Sequence, residues 1–406
     1  MAKFDLIVFG ASSFVGQLLT RYLFERHGVG GDLNWAIAGR SAAKLSEVRG
    51  HLGIDAVKLP ILLADSDDEA SLQALCEQTR VIVSTVGPYS LYGSTLVKVC
   101  AESGTDYCDL TGEAPWIGRM ISLYEDTAKQ TGARIVHCSG FDSIPSDLGT
   151  YYLQQQAKAK LGTYCQQVKM RVKAMRGGLS GGTVASMIHI INEASVDPVV
   201  RKMLTDPYSL SPSSAFKRPR QPNVMFASYD EDAKSWSFPF IMAAINSKIV
   251  FRSNALAGYP YGLDFIYDEA MLAGSGLKGR AIATAGAVGI GAAFSALVVP
   301  PTRYLMERYV VPKPGEGPTP EQQAAGFYDL RFYGRTATGE TIVTQFKGDR
   351  DPGYGATAKL LGEAVVCLAQ DTPKAEGGFW TPASLLGERL IERLSQHAGV
   401  HFNVLS

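Results

Sequence analysis

Gly10-Ala-Ser-Ser-Phe-Val-Gly16 is the stretch that decides the fold of this chain. It follows the apolar run Leu6–Phe9 and opens a segment with the apolar spacing of a helix. A strand, a glycine turn and a helix N-terminus direct backbone N–H groups and the positive end of the helix dipole at one point, which suits a pyrophosphate. Gly10 permits the tight turn, and Gly16 lets the helix pack closely on the sheet. A strand-to-helix turn without a ligand is the alternative that this stretch alone leaves open.

Between the two glycines lie Ser12, Ser13, Phe14 and Val15, which we predict to line the pyrophosphate site. Ser13 stands where the usual dinucleotide-binding pattern has its middle glycine. It is a small residue, so the predicted turn is retained.

The end of the second apolar run selects the cofactor. Arg40 follows the predicted strand Asn34–Gly39, at the position where an NAD site carries an acidic residue for the ribose hydroxyls. Ser41 stands beside it, and Lys44 follows one helical turn later. A guanidinium supplies the charge-assisted donors that a 2′-phosphate requires, so the sequence favours NADPH over NADH. The alternative is that Arg40 is a solvated residue at the start of a helix.

Four further runs are predicted as strands of the same sheet: residues 57–65, 80–89, 106–110 and 133–138. Strands that alternate with helices over about 140 residues predict a doubly wound parallel sheet, the Rossmann fold. Ligands bind at the carboxyl ends of such strands, so we expect Asp65 at the adenine end and Thr85, Val86 and Gly87 at the nicotinamide end. Asp65 also fits an ordinary turn carboxylate.

Past residue 150 the pattern changes: apolar and polar residues alternate, as is typical of strands with one buried and one exposed face. Tyr328–Tyr333 and Thr341–Gly348, joined around Thr338-Gly339, predict a hairpin. We therefore expect an NADP-binding domain at residues 1–140, a second α+β domain for substrate binding or dimerisation at residues 141–365, and a helical segment at residues 366–406.

Composition excludes several classes of function. The chain has 406 residues and a formal net charge of zero, and it has no basic stripe, so we expect no nucleic-acid partner. None of the six cysteines forms a C-x-x-C pair, and the six histidines lack metal-ligand spacing, so we expect no metal. No secretory signal pattern is present, which predicts a cytoplasmic protein with reduced cysteines.

Residues 281–302 carry no charge and are rich in alanine and glycine. The length approaches that of a membrane span. A helix buried in the core or at a subunit interface is one interpretation, and a peripheral contact with a membrane or lipid surface is another. A true span is the least favoured, because basic residues flank both ends.

The chain resembles the saccharopine dehydrogenase-like oxidoreductases, and in particular their trans-acting enoyl reductase branch. The stretches that carry the resemblance lie at residues 8–16, 36–41, 85–89, 104–113, 140–147, 180–183, 249–256 and 381–383. The segment Gly140-Phe-Asp-Ser-Ile-Pro-Ser-Asp147 is the most specific of them. The resemblance implies a C-terminal helix that returns to the first domain. It also implies reduction of a double bond in a polyketide-derived lipid on a carrier, within glycolipid assembly, and an association with lipid.

Enoyl reduction requires a hydride donor, a group that polarises the carbonyl and a source of the second proton. Tyr89 follows the fourth strand and is the first candidate acid, although its ring could instead only pack in the site. Asp142 and Ser143 follow the sixth strand and could orient a carbonyl or water, or else cap a helix. A saccharopine-type amino-acid dehydrogenase with Arg176 and Arg252, and an NADP-binding scaffold without turnover, remain alternatives.

Overall fold

The computed structural model describes residues 3–177, 181–213, 216–299, 301–304, 317–371 and 375–406. The strands found there are β1 Phe4–Phe9, β2 Trp35–Gly39, β3 Ile61–Leu63, β4 Thr79–Ser84, β5 Asp106–Asp109, β6 Arg134–Val136, β7 Gln167–Arg176, β8 Ser228–Asp230, β9 Ser235–Pro239, β10 Ile266–Gly274, β11 Phe327–Arg335, β12 Thr341–Gly348, β13 Gly378–Trp380 and β14 Val400–Val404.

The helices among the described residues are α1 Phe14–His27, α2 Ala42–His51, α3 Glu69–Cys76, α4 Tyr89–Tyr92, α5 Ser94–Ser103, α6 Ala114–Thr131, α7 Ile144–Leu161, α8 Gly181–Val196, α9 Pro198–Thr205, α10 Ala243–Leu256, α11 Gly276–Val298, α12 Pro320–Ala324, α13 Thr357–Val366, α14 Pro382–Leu385 and α15 Gly387–His397. Short 3-10 or π turns lie at Ile54–Lys58, Pro352–Ala356 and Cys367–Asp371.

The first sheet has the order β13-β6-β5-β4-β1-β2-β3, and all its neighbouring strands are parallel. β1, β2 and β4 are mostly apolar, and all three, like β5, are almost wholly buried, because helices cover both faces of such a sheet. This is the doubly wound order, in which a dinucleotide binds beside the carboxyl ends of β1 and β4. The predicted Rossmann sheet is confirmed.

Two strands of this sheet differ from the prediction. The third strand covers only Ile61–Leu63, and Ile54–Lys58 forms a 3-10 turn instead. Pro60 has no N–H to donate, so it stands at the start of an edge strand, where its carbonyl accepts from Ile37. The fourth strand ends at Ser84, and Tyr89 begins a short helix rather than ending the strand.

The second sheet has the order β14-β12-β11-β7-β10-β9-β8. Only β7 and β10 are parallel neighbours, and the other pairs are antiparallel. β11 and β12 pair from Tyr328 with Gly348 to Arg335 with Thr341, so the predicted hairpin is confirmed. The second α+β unit is confirmed with it.

The C-terminal part of the chain contributes to both sheets. β13 extends the first sheet beside β6, and β14 extends the second beside β12. α13 packs along α1, where the Tyr22 hydroxyl donates to the Glu363 carboxylate at 2.6 Å. Domain boundaries at residues 140 and 365 stay a proposal.

α11 accounts for most of the uncharged segment; residue 300 of that segment lies outside the described residues. The helix packs on β9 and β10, where the Cα of Gly286 approaches the ring of Phe238. It is long and apolar enough to cross a membrane by length and composition alone, yet only 11% of it is buried. The interpretation as a helix of the protein's own core is therefore wrong.

Candidate functional site

The glycine turn has the geometry that the pattern predicts for its two glycines. Gly10 has φ +85°, and a Cβ there would lie 2.6 Å from a methyl group of Val86. A Cβ at Gly16 would lie 2.2 Å from the carbonyl oxygen of Gly10. Side chains longer than hydrogen are thus excluded at both ends of the turn, and β1, α1 and the end of β4 come into close contact.

Ser13 replaces the middle glycine and uses its hydroxyl inside the turn. Its Oγ accepts from the N–H of Gly16 at 2.9 Å and donates to the Oγ1 of Thr85 at 3.0 Å. Thr85 in turn donates to the carbonyl of Gly10 at 2.9 Å. The N–H groups of Phe14 and Val15 have no partner within the helix, because they lie in its first turn. These two donors are open to an anion.

Arg40 and Lys44 are both exposed beyond the end of β2, and no ion pair or hydrogen bond of their side chains is found among the described residues. Ser41 caps α2 by accepting from the N–H of Lys44 at 3.4 Å. The N–H of Gly10 bonds the carbonyl of Ala38 at 2.9 Å, so these cations lie beside the glycine turn. Two open cations next to a pyrophosphate turn suit a 2′-phosphate.

Asp65 follows β3, at the expected adenine edge. One of its carboxylate oxygens accepts from the N–H of Asp67 at 3.2 Å and from Ser66 at 3.4 Å. The residue therefore stabilises its own turn, which is the plainer of the two interpretations. Its role at the adenine stays a prediction.

Thr85, Val86 and Gly87 follow β4 and face the glycine turn. The segment that follows them is held in place by Glu113, a buried residue that the sequence did not indicate as part of the site. Its two carboxylate oxygens accept from the N–H groups of Tyr89 and Ser90, at 2.8 Å and 3.0 Å. The Ser186 hydroxyl of the second unit donates to the same carboxylate at 2.8 Å. Glu113 thus joins the segment after β4 to the second unit.

Tyr89 lies in this region, but its hydroxyl is committed elsewhere. It donates to the carbonyl of Ser84 at 2.9 Å, and the ring packs on Trp116 at 5.5 Å. Burial and the nearby Asp109 raise the pKa of the phenol well above its ordinary value. The geometry therefore favours the packing interpretation and does not support Tyr89 as the proton donor.

Asp142 follows β6 in the chain and lies near Gly112, the residue before Glu113. It makes no hydrogen bond or ion pair with any described residue, and burial raises the pKa of its carboxyl to about 6. A Cβ placed on Gly112 would lie 4.0 Å from the Oδ2 of Asp142 and 4.0 Å from the Cε of Met242. An unpaired carboxyl with a pKa near neutrality is suited to proton transfer.

Ser143 is fully buried and does not cap α7, contrary to the capping alternative. Its hydroxyl donates to the side-chain oxygen of Asn246 at 3.1 Å. The amide of Asn246 donates to the Glu269 carboxylate at 3.0 Å, and the Tyr267 hydroxyl donates to that carboxylate at 2.7 Å. This chain of hydrogen bonds, which no spacing in the sequence indicates, leads from β6 into the second unit.

A buried pair of side chains that the sequence did not indicate lies where β5 and β6 end. His137 Nδ1 and the carboxylate of Asp109 are 2.7 Å apart, and both residues are buried. The other Asp109 oxygen accepts from the N–H of Cys138, a residue held at φ +60°. A non-glycine residue at positive φ is costly unless its surroundings fix it. The pair therefore positions the backbone from which Asp142 follows.

The residues present fit an NADP(H) molecule. The closely packed glycine turn and the two first-turn N–H groups of α1 would bind the pyrophosphate. The open cations after β2 would bind the 2′-phosphate, in the expected order along the chain.

Replacing the exposed guanidinium tests the 2′-phosphate contact. We expect Arg40→Ala to raise the Kd for NADPH by about 10- to 100-fold, the usual effect of losing a charge-assisted hydrogen bond. The Kd for NADH should hardly change. Titration of tryptophan fluorescence measures both. Arg21→Ala removes an exposed arginine from α1 and is the matched control. Equal losses for both cofactors would contradict the assignment.

Comparisons with known proteins agree with this geometry. Residues 6–136 match the family model "Saccharopine dehydrogenase NADP binding domain". The chain is 41% identical over 403 residues to a Mycobacterium tuberculosis (strain ATCC 25618 / H37Rv) protein provisionally named a trans-acting enoyl reductase, covering 97% of this chain and 95% of that protein. It is 36% identical over 409 residues to the trans-acting enoyl reductase of Mycobacterium bovis (strain BCG / Pasteur 1173P2), covering 97% and 96%.

Among solved structures, saccharopine dehydrogenase (L-Glu forming) from Saccharomyces cerevisiae superposes with a TM-score of 0.57 and 12% identity, covering 99% of both chains. At this identity the likeness shows the fold alone.

Proposed function

Since the chain belongs to the saccharopine dehydrogenase-like family with the trans-acting enoyl reductases, and is an NADP-dependent oxidoreductase, we propose that it reduces the double bond of an α,β-unsaturated acyl group. The proposed substrate is a lipid or polyketide-derived acyl group on a carrier, in glycolipid biosynthesis. The observation that carries the proposal is Asp142, an unpaired carboxyl with a raised pKa that lies near Gly112, at the carboxyl edge of the first sheet.

When bound, NADPH supplies the hydride that the β-carbon receives. The glycine turn and Arg40 would bind it, and the end of β4 would lie beside its reactive ring. In the proposed mechanism the carboxyl of Asp142 gives its proton to the α-carbon. The saturated acyl group then leaves, and a proton from solvent protonates the carboxylate of Asp142 again. Glu113 holds the residues after β4 in place.

The alternative of an amino-acid dehydrogenase would need arginines free to bind substrate carboxylates. Arg252 is buried, and its guanidinium donates to the carbonyls of Leu210 and Phe379, both at 2.6 Å. Arg176 is exposed at the end of β7. Arg252 is therefore not free to bind a substrate carboxylate, and this supports an acyl substrate.

Turnover tests the proposal. Oxidation of NADPH, followed by absorbance, should occur with a trans-2-enoyl thioester and not with an α-amino acid plus a keto acid. Product analysis should find the saturated thioester. Binding of NADPH without oxidation by any enoyl thioester would favour the scaffold alternative.

We also propose that α11 rests on a lipid surface and does not cross it. Its outer face is apolar, with Val288 66% exposed and Val298 56% exposed, while its inner face packs on β9. Lys278 and Arg280 are exposed at the same end of the helix and suit anionic headgroups. A helix packed along a sheet on one side is favoured at an interface over a span.

Flotation with vesicles of phosphatidylcholine and phosphatidylserine tests this contact. The protein should float with the vesicles, and Gly289→Glu should release it, because a charge would enter the apolar face. A Cβ at Gly289 meets no atom within 4 Å, so this variant should remain folded. Leu123→Glu, on exposed α6 surface, is the matched control. If the protein does not float with the vesicles and is a dimer in solution, the apolar face of α11 would instead be assigned to contact with a second copy of the chain.

A further inference from the structure

A large cavity lies in the second unit between α10 and α11. Its volume is about 890 Å³, within the range of sites that bind organic ligands. Phe240 and Phe251 line it on one side, and Ile290 and Phe294 of α11 form its outer wall. The loop at residues 219–225 closes one end. Side chains with no hydrogen-bonding group thus form most of its surface.

Two of the ionisable groups at the cavity, Glu269 and Lys248, are already paired with the protein. Glu269 on its floor binds Asn246 and Tyr267, and burial raises the pKa of this carboxyl to about 7. Lys248 donates to the carbonyls of Leu204 and Asp206, at 3.1 Å and 2.6 Å, and so holds a wall in place. An apolar ligand would therefore leave Glu269 and Lys248 with the partners that they already have.

One end of the cavity approaches the proposed reaction centre. Its lining includes Ile241 and Ala243, the neighbours of Met242, and the side chains of Met242 and Asp142 both lie near Gly112. Glu269 on the floor is connected through Asn246 to Ser143, the residue after Asp142. A chain that fills the cavity would thus have one end near Met242, which shares Gly112 as a neighbour with the proposed proton donor Asp142.

From this placement we infer that the cavity between α10 and α11 binds the apolar chain of the acyl substrate. This inference rests on the proposed enoyl reduction, and it adds that the enzyme selects long acyl chains. α11 has a second role in it, because its inner face is the wall against which the chain packs.

A pair of glycines on α11 provides the test. Gly291 lines the cavity and Gly289 does not, and a Cβ at either meets no atom within 4 Å. The wild-type enzyme should have a lower KM for a hexadecenoyl than for a butenoyl thioester. Gly291→Phe should raise the KM for the long substrate about tenfold, roughly the effect of losing two buried methylene groups, and leave the short one unchanged. Gly289→Phe should behave as the wild type.

A measurement without turnover separates this inference from the proposed function. The fluorescence of cis-parinaric acid, an apolar chain, should rise on binding to the wild type and to Gly289→Phe. Gly291→Phe, and Ala287→Phe as a second obstruction, should bind it about tenfold more weakly. Equal binding by folded variants would overturn the cavity assignment. Normal probe binding without reduction of any enoyl thioester would retain the cavity and reject the proposed function.

Discussion

Gly16→Ala is expected to weaken NADPH binding by at least about 100-fold, the equivalent of two charge-assisted hydrogen bonds. The added methyl group would lie 2.2 Å from the carbonyl oxygen of Gly10 and 2.9 Å from the Cα of Ala11. Both contacts are with backbone atoms, so the turn itself must move. The N–H groups of Phe14 and Val15 would then no longer meet at the pyrophosphate.

The control for this variant lies in the next helix. Gly50 is also helical, and a Cβ there meets no atom within 4 Å. Alanine is a better helix former than glycine, so Gly50→Ala should raise the free energy of unfolding by about 0.5–1 kcal/mol and leave the Kd unchanged. Isothermal titration with NADPH, beside thermal unfolding, measures both effects. Wild-type affinity in Gly16→Ala would contradict the packing argument.

Local patterns in the sequence are sufficient for the glycine turn, because its strand, turn and helix are adjacent in the chain. The same holds for the β11–β12 hairpin, whose turn residues connect the strands directly. β13 could not be found in this way. It has three residues, and both its partner strand β6 and Arg252, which donates to the carbonyl of Phe379 from 127 residues away, lie far from it in the chain.

The cleft shows the same limit for side chains. The order of the strands indicates which residues lie at the carboxyl edge of the first sheet. It therefore made both Tyr89 and Asp142 candidate catalytic residues. It does not indicate where each side chain turns. The hydroxyl of Tyr89 turns back to Ser84, whereas the carboxyl of Asp142 stays unpaired. The roles of Glu113 and His137 depend on partners more than 20 residues away, so no spacing pattern could reveal them.

Composition predicted that residues 281–302 form a long apolar segment, but composition does not fix what covers it. Exposure of α11 follows from its contacts, since only one side meets β9 and β10. The cavity beneath that helix likewise arises from elements far apart in the chain, and the sequence alone gave no indication of it.

Asp142→Asn is expected to lower kcat by about 100-fold or more, the usual contribution of a positioned general acid. The amide is similar in size and cannot give up a proton at neutral pH. The Kd for NADPH should stay the same, because Asp142 lies away from the glycine turn. Single-turnover oxidation of NADPH with an enoyl thioester measures the effect. Asp126→Asn, on the exposed face of α6, is the control.

The pH dependence follows from the raised pKa of Asp142. Only the protonated carboxyl can act as the acid, so the wild-type kcat should be constant below pH 6 and fall as the pH rises through about 6. In Asp142→Asn this fall should be absent. A variant that keeps the wild-type kcat and the wild-type profile would remove Asp142 from the mechanism.

Asp142→Asn should lower kcat but raise the stability of the fold at pH 7. The folded protein binds this proton more tightly than the unfolded chain, since burial raises the pKa from 3.8 to about 6. The contribution of Asp142 to stability is therefore greatest below the unfolded pKa and is lost as the pH rises through the folded value. At pH 7 the buried carboxylate destabilises the fold, and Asp142→Asn should raise the free energy of unfolding by about 1–3 kcal/mol. A gain in Tm together with a loss in kcat would identify a carboxyl retained for chemistry at a cost in stability, whereas a purely structural residue would lose both.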